Sequence, residues 1–196
     1  MSGGAYVLIF DGLSDWEPAH ALAELRRSGG MEVVSVGFTS EPITTMGGLR
    51  ILPDTTLDAV DPVDMRILIL PGGELWETAG PPDAVLELLG RAEAAGVPIA
   101  AICAATIAAA RAGLLAARRH TSNGRDYLVA AAPTYAGADH YVEDALAVRD
   151  RGVITASGVG SVEFAREIMA ELDVLDEASR AVWFDLFKHG VLPEPA

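Results

Sequence analysis

The sequence predicts an α/β fold, a mainly parallel central sheet covered by helices and carrying a nucleophile elbow. Three observations lead there: nearly continuous apolar runs of strand length, helical stretches between them, and one cysteine set where a strand runs into a helix.

The runs Ala5 to Phe10, Met31 to Phe38, Arg66 to Leu70 and Val97 to Ile102 are almost wholly apolar. Strands buried on both faces, as in a parallel sheet, have this character. Between them, Trp16 to Ser28, Pro82 to Ala95 and Ala104 to Ala112 carry helical spacing, which gives the alternation of a doubly wound fold. Two segments read as β-hairpins and as small excursions from the main sheet: Ile43 to Leu52, turning at Gly47-Gly48, and Ala145 to Thr155, turning near Asp150-Arg151-Gly152. Helices are expected over Ser161 to Leu172 and Asp176 to His189. The second carries Val182, Trp183, Leu186 and Phe187 on one broad apolar face, which suits either core packing or a subunit interface. With no linker or repeat, residues 1–196 read as one domain.

Hydrophobic residues make up 51% of the chain and charged residues 21%, the balance of a packed globular protein. The net charge of −14, from 28 acidic against 14 basic residues, repels phosphate backbones and anionic lipid, so nucleic acid is not an expected partner. The apolar stretch from Pro98 to Ala110 is too short to cross a bilayer, and no membrane span is expected. A lone cysteine forms no internal disulfide and Met1 to Ala5 lack a basic signal start, so a reducing cytoplasm is the expected location.

Val97 to Ile102 leads straight into Cys103 and then into an alanine-rich helix. A nucleophile elbow turns so tightly that the residues two before and two after the nucleophile must be small; here they are Ala101 and Ala105. A helix start favours the thiolate, and ligands of open α/β sheets bind beyond the carboxyl ends of the strands. The ordinary alternative is a small buried hydrophobe.

Leu70-Pro71-Gly72-Gly73 ends another strand, so backbone N–H groups of Gly72, Gly73 and Ala104 are candidates for an oxyanion hole. Glu17 follows the first strand. Ser14-x-x-Glu17 fits a capping box, yet the helix it opens begins at the edge of the sheet that carries Cys103, so cap and site both stand. Further pocket candidates are Trp16, His20, Trp76, His120 and Asn123. In His120-Thr121-Ser122-Asn123, strand alternation would turn only one of the two pairs toward the thiol. Glu17 and His20 form an isolated E-x-x-H with no third ligand, so no metal and no cofactor are expected.

Taken in order, F-D-G-L-S-D-W-E (Phe10 to Glu17), L-P-G-G (Leu70 to Gly73), A-I-C-A-A-T (Ala101 to Thr106), A-G-L-L (Ala112 to Leu115), H-T-S-N (His120 to Asn123), I-T-A-S-G (Ile154 to Gly158) and V-E-F-A (Val162 to Ala165) resemble the PfpI / Parkinson-disease-protein (DJ-one) family of the class I glutamine amidotransferase-like superfamily. The resemblance implies a flavodoxin-like three-layer sandwich, usually a homodimer, with Cys103 reactive and Glu17 a protonated carboxyl touching its sulfur. It also implies an oxyanion or sulfinate pocket made by Gly73 and Ala104. Protease-like members place a histidine directly after the cysteine, where this chain has Ala104, so peptidase chemistry is not expected. Asn123 stands where the Parkinson-disease protein has a histidine, and residues 157–163 lack the histidine that amidotransferases need. The isonitrile-hydratase branch has aspartate in place of Glu17. What remains is a cysteine-dependent enzyme acting on a small carbonyl compound, of glyoxalase, deglycase or hydrolase type. The alternative is a cysteine redox sensor or stress-response protein without turnover.

Overall fold

Residues 3–192 are described by the computed structural model. The main sheet has seven strands. In chain order they are β1 (Gly4–Leu8), β2 (Val33–Gly37), β5 (Thr55–Thr56), β6 (Met65–Leu70), β7 (Ile99–Ile102), β8 (Ala147–Asp150) and β9 (Val153–Ala156). They lie in the order β5-β2-β1-β6-β7-β9-β8, all parallel except β8, which runs against β9. The strands β2-β1-β6-β7-β9 form the doubly wound order of flavodoxin-like proteins. All four residues of β7 and of β9 are buried, as are Ile67 to Leu70 of β6. Each of the isoleucine, leucine and valine side chains among them contributes about 1.5–3 kcal/mol on leaving water, so the middle of the sheet anchors whatever is attached to its ends.

Helices α1 (Trp16–Arg27), α3 (Asp83–Ala94), α4 (Thr106–Arg111) and α6 (Ser161–Glu171) fall where the spacing predicts them, with α2 (Leu75–Thr78) and α5 (Arg125–Ala131) as short additions. The first hairpin, β3 (Ile43–Thr44) with β4 (Arg50–Ile51), is a separate two-stranded sheet as expected. The second hairpin differs from expectation. It is no excursion, because β9 pairs in parallel with β7 and β8 closes the edge of the main sheet. His120 to Asn123 form no strand; His120 makes one isolated bridge to Tyr141 and the chain then turns. No described helix is long and apolar enough to cross a membrane.

The last helix, α7 (Glu177–Phe184), starts at Asp176, whose side chain accepts from the Ser179 N–H at 2.8 Å, and widens into a π turn over Asp185–His189. Trp183 is buried in the core, whereas Val182 and Phe187 stay half-exposed. The Trp183 indole donates to Glu24 Oε1 at 3.0 Å. Glu24 is itself buried, and it also accepts from Arg27 at 2.6 Å and Ser28 Oγ at 2.8 Å. Burial opposes the charge on Glu24, but these three donors outweigh it and hold the carboxyl below the ordinary glutamate range. A depressed folded value means that the stability it contributes is present above the unfolded pKa and lost as pH falls through the folded one. Glu24→Gln is therefore expected to cost about 1–3 kcal/mol at pH 7 in urea unfolding. The gap to wild type should close as the pH drops below about 4, the ordinary glutamate region.

Candidate active site

Four parallel strands deliver the site. The chain leaving β1 brings Glu17, the turn after β6 brings Gly72 and Gly73, the end of β7 brings Cys103, and the turn after β9 brings Ser157 and Gly158. All lie beyond the carboxyl edge of the sheet, at the position where such sheets bind ligands. Glu17, Gly73, Cys103, Ser157 and Gly158, together with Ser14, Trp16, Met46, Glu74, Glu77, Ala104, Asn123 and Val159, line a cavity of about 400 Å³.

Cys103 follows the extended Ile102 at φ 58°, a left-handed conformation that costs a non-glycine residue of the order of 1–2 kcal/mol. The turn Cys103–Ala105 is a single 3-10 turn, closed by the Thr106 hydroxyl donating to the Cys103 carbonyl at 2.6 Å. Ala101 and Ala105 are completely buried, which shows why the elbow admits only small residues there.

Glu17 is 1% exposed, and its carboxyl does not cap its own helix. Oε2 accepts from the Gly72 N–H at 2.6 Å, and the carboxyl also meets Ser14 and the thiol of Cys103. The Gly72 N–H is thereby consumed in holding Glu17, so Gly72 leaves the expected oxyanion hole. Gly73 and Ala104 remain, both lining the cavity, and the Ala104 N–H reaches the sulfur. A Cβ on Gly72 would lie 2.6 Å from Glu17 Oε2 and 2.7 Å from Cys103 Cβ, so contact between acid and thiol requires glycine at this position.

Burial raises Glu17 above the ordinary glutamate value, outweighing the donors around it. Burial likewise pushes the Cys103 thiol up to about 11, assisted by the adjacent Glu17 charge and opposed by the N–H groups of Asn123 and Ala104. The expected gain from a helix start is thus outweighed, and the regular helix begins only at Thr106. Two acids in contact titrate as a pair, so Glu17 and Cys103 hold one proton between them across a wide range of pH.

Asn123 donates from Nδ2 to Cys103 Sγ at 3.2 Å and accepts at Oδ1 from the Gly158 N–H at 3.0 Å. Of its tetrapeptide only this side chain lines the cavity. His120 is fully buried, with Nδ1 at 2.7 Å from the Arg118 carbonyl and Nε2 at 2.5 Å from the Tyr135 hydroxyl. Burial lowers its pKa and keeps it neutral. His20 packs edge-on against Trp183 and Phe187, away from the thiol. Trp76 is buried beneath the loop, donating to the Pro71 carbonyl at 2.9 Å with its ring on Phe10. His20, His120 and Trp76 are thus not pocket walls. Trp16 is one, its indole donating to the Gly158 carbonyl at 3.3 Å.

Gly158 was absent from the expected site. A Cβ there would sit 2.8 Å from Cys103 Sγ and 3.3 Å from Glu17 Oε1, and both its peptide groups are hydrogen-bonded in place. Gly158→Ala is expected to slow iodoacetamide labelling of Cys103 at least tenfold, while its unfolding midpoint stays within a few degrees of wild type. Among the described residues no group of three or more His, Cys, Asp or Glu is placed to hold a metal ion.

An elbow of this kind, on a sheet of this strand order, puts the molecule in the class of cysteine-bearing α/β proteins built on the flavodoxin-like plan. Residues 4–171 match the DJ-1/PfpI family, and the chain belongs to that family. It is 40% identical to an uncharacterized protease of Bacillus subtilis, over 93% of this chain and 90% of the relative. A glutathione-independent glyoxalase of Caenorhabditis elegans is 34% identical over 74% of this chain and 75% of its own length. Among solved structures, a DJ-1 superfamily protein of Agrobacterium tumefaciens superposes with a TM-score of 0.88 at 36% identity, covering 96% of this chain and 98% of that one.

Proposed function

We propose that the protein is a cysteine-dependent enzyme acting on small 2-oxoaldehydes, of glyoxalase or deglycase type. The observation that carries this reading is the buried Glu17 carboxyl in contact with the Cys103 thiol at the carboxyl edge of the sheet. The thiolate adds to the aldehyde carbon while Gly73 and Ala104 N–H groups hold the oxyanion. Glu17 then moves a proton from the aldehyde carbon to the adjacent carbonyl, giving a 2-hydroxyacyl thioester. Water releases the 2-hydroxy acid and restores the thiol, so that methylglyoxal plus water becomes lactate.

The named glyoxalase relative supports this chemistry. Peptidase chemistry has less support, because Ala104 follows the thiol and His120 is bound to Tyr135 and Arg118. We also infer a homodimer working in the cytoplasm. A second reading draws on the donors of Asn123 and Ala104 at the sulfur, which would equally hold a sulfinate formed without turnover.

Incubating the purified protein with methylglyoxal separates the two. Lactate formed in molar excess over protein is the expected result. No lactate, together with Cys103 gaining two oxygens under mild peroxide, overturns the enzyme in favour of the sensor.

A further inference from the structure

The charged side chains that line the Cys103 cavity are all acidic. Besides Glu17 they are Glu74 and Glu77, from the start and the body of the short helix after the Gly72-Gly73 turn. Both are exposed at the mouth. Glu77 is fixed there, since Tyr127 Oη donates to its Oε1 at 2.8 Å, and Tyr127 in turn lies close enough to Asn123 and Cys103 to feel both. Among the described residues no Lys, Arg or His lines the cavity. Arg111 donates to the Ala131 carbonyl and Arg125 pairs with Glu143, and neither lines the cavity. The chain as a whole carries a net charge of −14, so on balance the rest of the molecule adds to the negative potential there. An approaching anion would meet like charge in a cleft whose walls focus the field, whereas a cation would be drawn in.

We propose that Glu74 and Glu77 make this site selective by charge, admitting uncharged and positively charged carbonyl compounds and turning away those that carry a carboxylate or phosphate. The inference rests on Cys103 being the reactive group, and it deepens the 2-oxoaldehyde reading by excluding its anionic members. Asn123 keeps its neutral amide on the sulfur, so repulsion acts at the mouth and leaves the reacting atom to the neutral donors. Selection therefore falls on entry and recognition, which places it in kcat/KM.

Two arms test the proposal, one of which needs no turnover. In the first, Cys103 is alkylated with iodoacetamide and with iodoacetate. In each case the thiolate displaces iodide, so a C–S bond forms and a C–I bond breaks, and each rate is normalised to that of a free small thiol. The neutral reagent is expected to win at least tenfold at low salt. That ratio should shrink on adding salt and in the double variant Glu74→Gln/Glu77→Gln. Equal normalised rates in wild type, or a ratio unmoved by the double variant, overturn the proposal. In the second arm, phenylglyoxal is compared with 4-carboxyphenylglyoxal, which has the same reacting group and an added carboxylate. A kcat/KM at least tenfold lower for the anion is expected, and equal values overturn the proposal. If both glyoxals are inert while the alkylation ratio holds, the turnover reading fails and charge selection at Cys103 stands.

Discussion

Cys103→Ala is expected to reduce methylglyoxal turnover to the uncatalysed background, since no other thiol exists in the chain and none of the remaining lining groups is a comparable nucleophile. Cys103→Gly should be equally inactive, yet the two variants should differ in stability. At φ 58° alanine keeps the left-handed strain and glycine does not. Glycine should therefore be the more stable by about 1 kcal/mol, a rise of roughly 2–4 °C in Tm over Cys103→Ala for a chain of this size. The pair of measurements separates the reason the residue is reactive from the reason it is strained. A Cys103→Gly protein no more stable than Cys103→Ala would show that the elbow's conformation stores no energy. Turnover surviving in both would move the chemistry off the thiol altogether.

The reactive position was legible in the sequence because its causes are local. A buried strand, a residue that must adopt the elbow, and alanines two before and two after it all lie within a few positions of one another. The strands β6 and β7 were legible for a related reason: burial on both faces leaves β7 and the Ile67 to Leu70 part of β6 wholly apolar. What failed was pairing at a distance. The turn near Asp150-Arg151-Gly152 announces a hairpin, but nothing local says that β9 lies beside β7, and Gly158 reaches the thiol only through that pairing. Alternation failed over His120 to Asn123 because the segment is a turn rather than a strand, so His120 goes into the core and Asn123 alone lines the cavity. Gly72 looked like an oxyanion donor until the fold gave its N–H to Glu17, and for Glu17 the same bond decides between cap and site, since the carboxyl turns inward. Glu77 had no signal at all, since its orientation depends on Tyr127, fifty residues away.

Glu17→Gln is expected to cut kcat by about 10²–10⁴, the range of a lost general acid–base group. Glutamine keeps an oxygen for the Gly72 N–H, so the loop should hold its shape and Tm should change little. What disappears is the proton that the carboxyl exchanges with sulfur and substrate. The pH profile fixes the sign. Because burial raises the Glu17 pKa, the wild-type pair becomes doubly protonated only when pH falls below that raised value, and kcat/KM should drop there. In the variant no carboxyl titrates there, and the fall toward low pH follows the ionisation of the thiol alone. The glutamine also removes the charge that helps push the thiol up, so iodoacetamide should still label Cys103. Labelling retained while turnover collapses assigns Glu17 to proton transfer. If labelling and turnover fell together, Glu17 would instead be a residue that only positions the thiol.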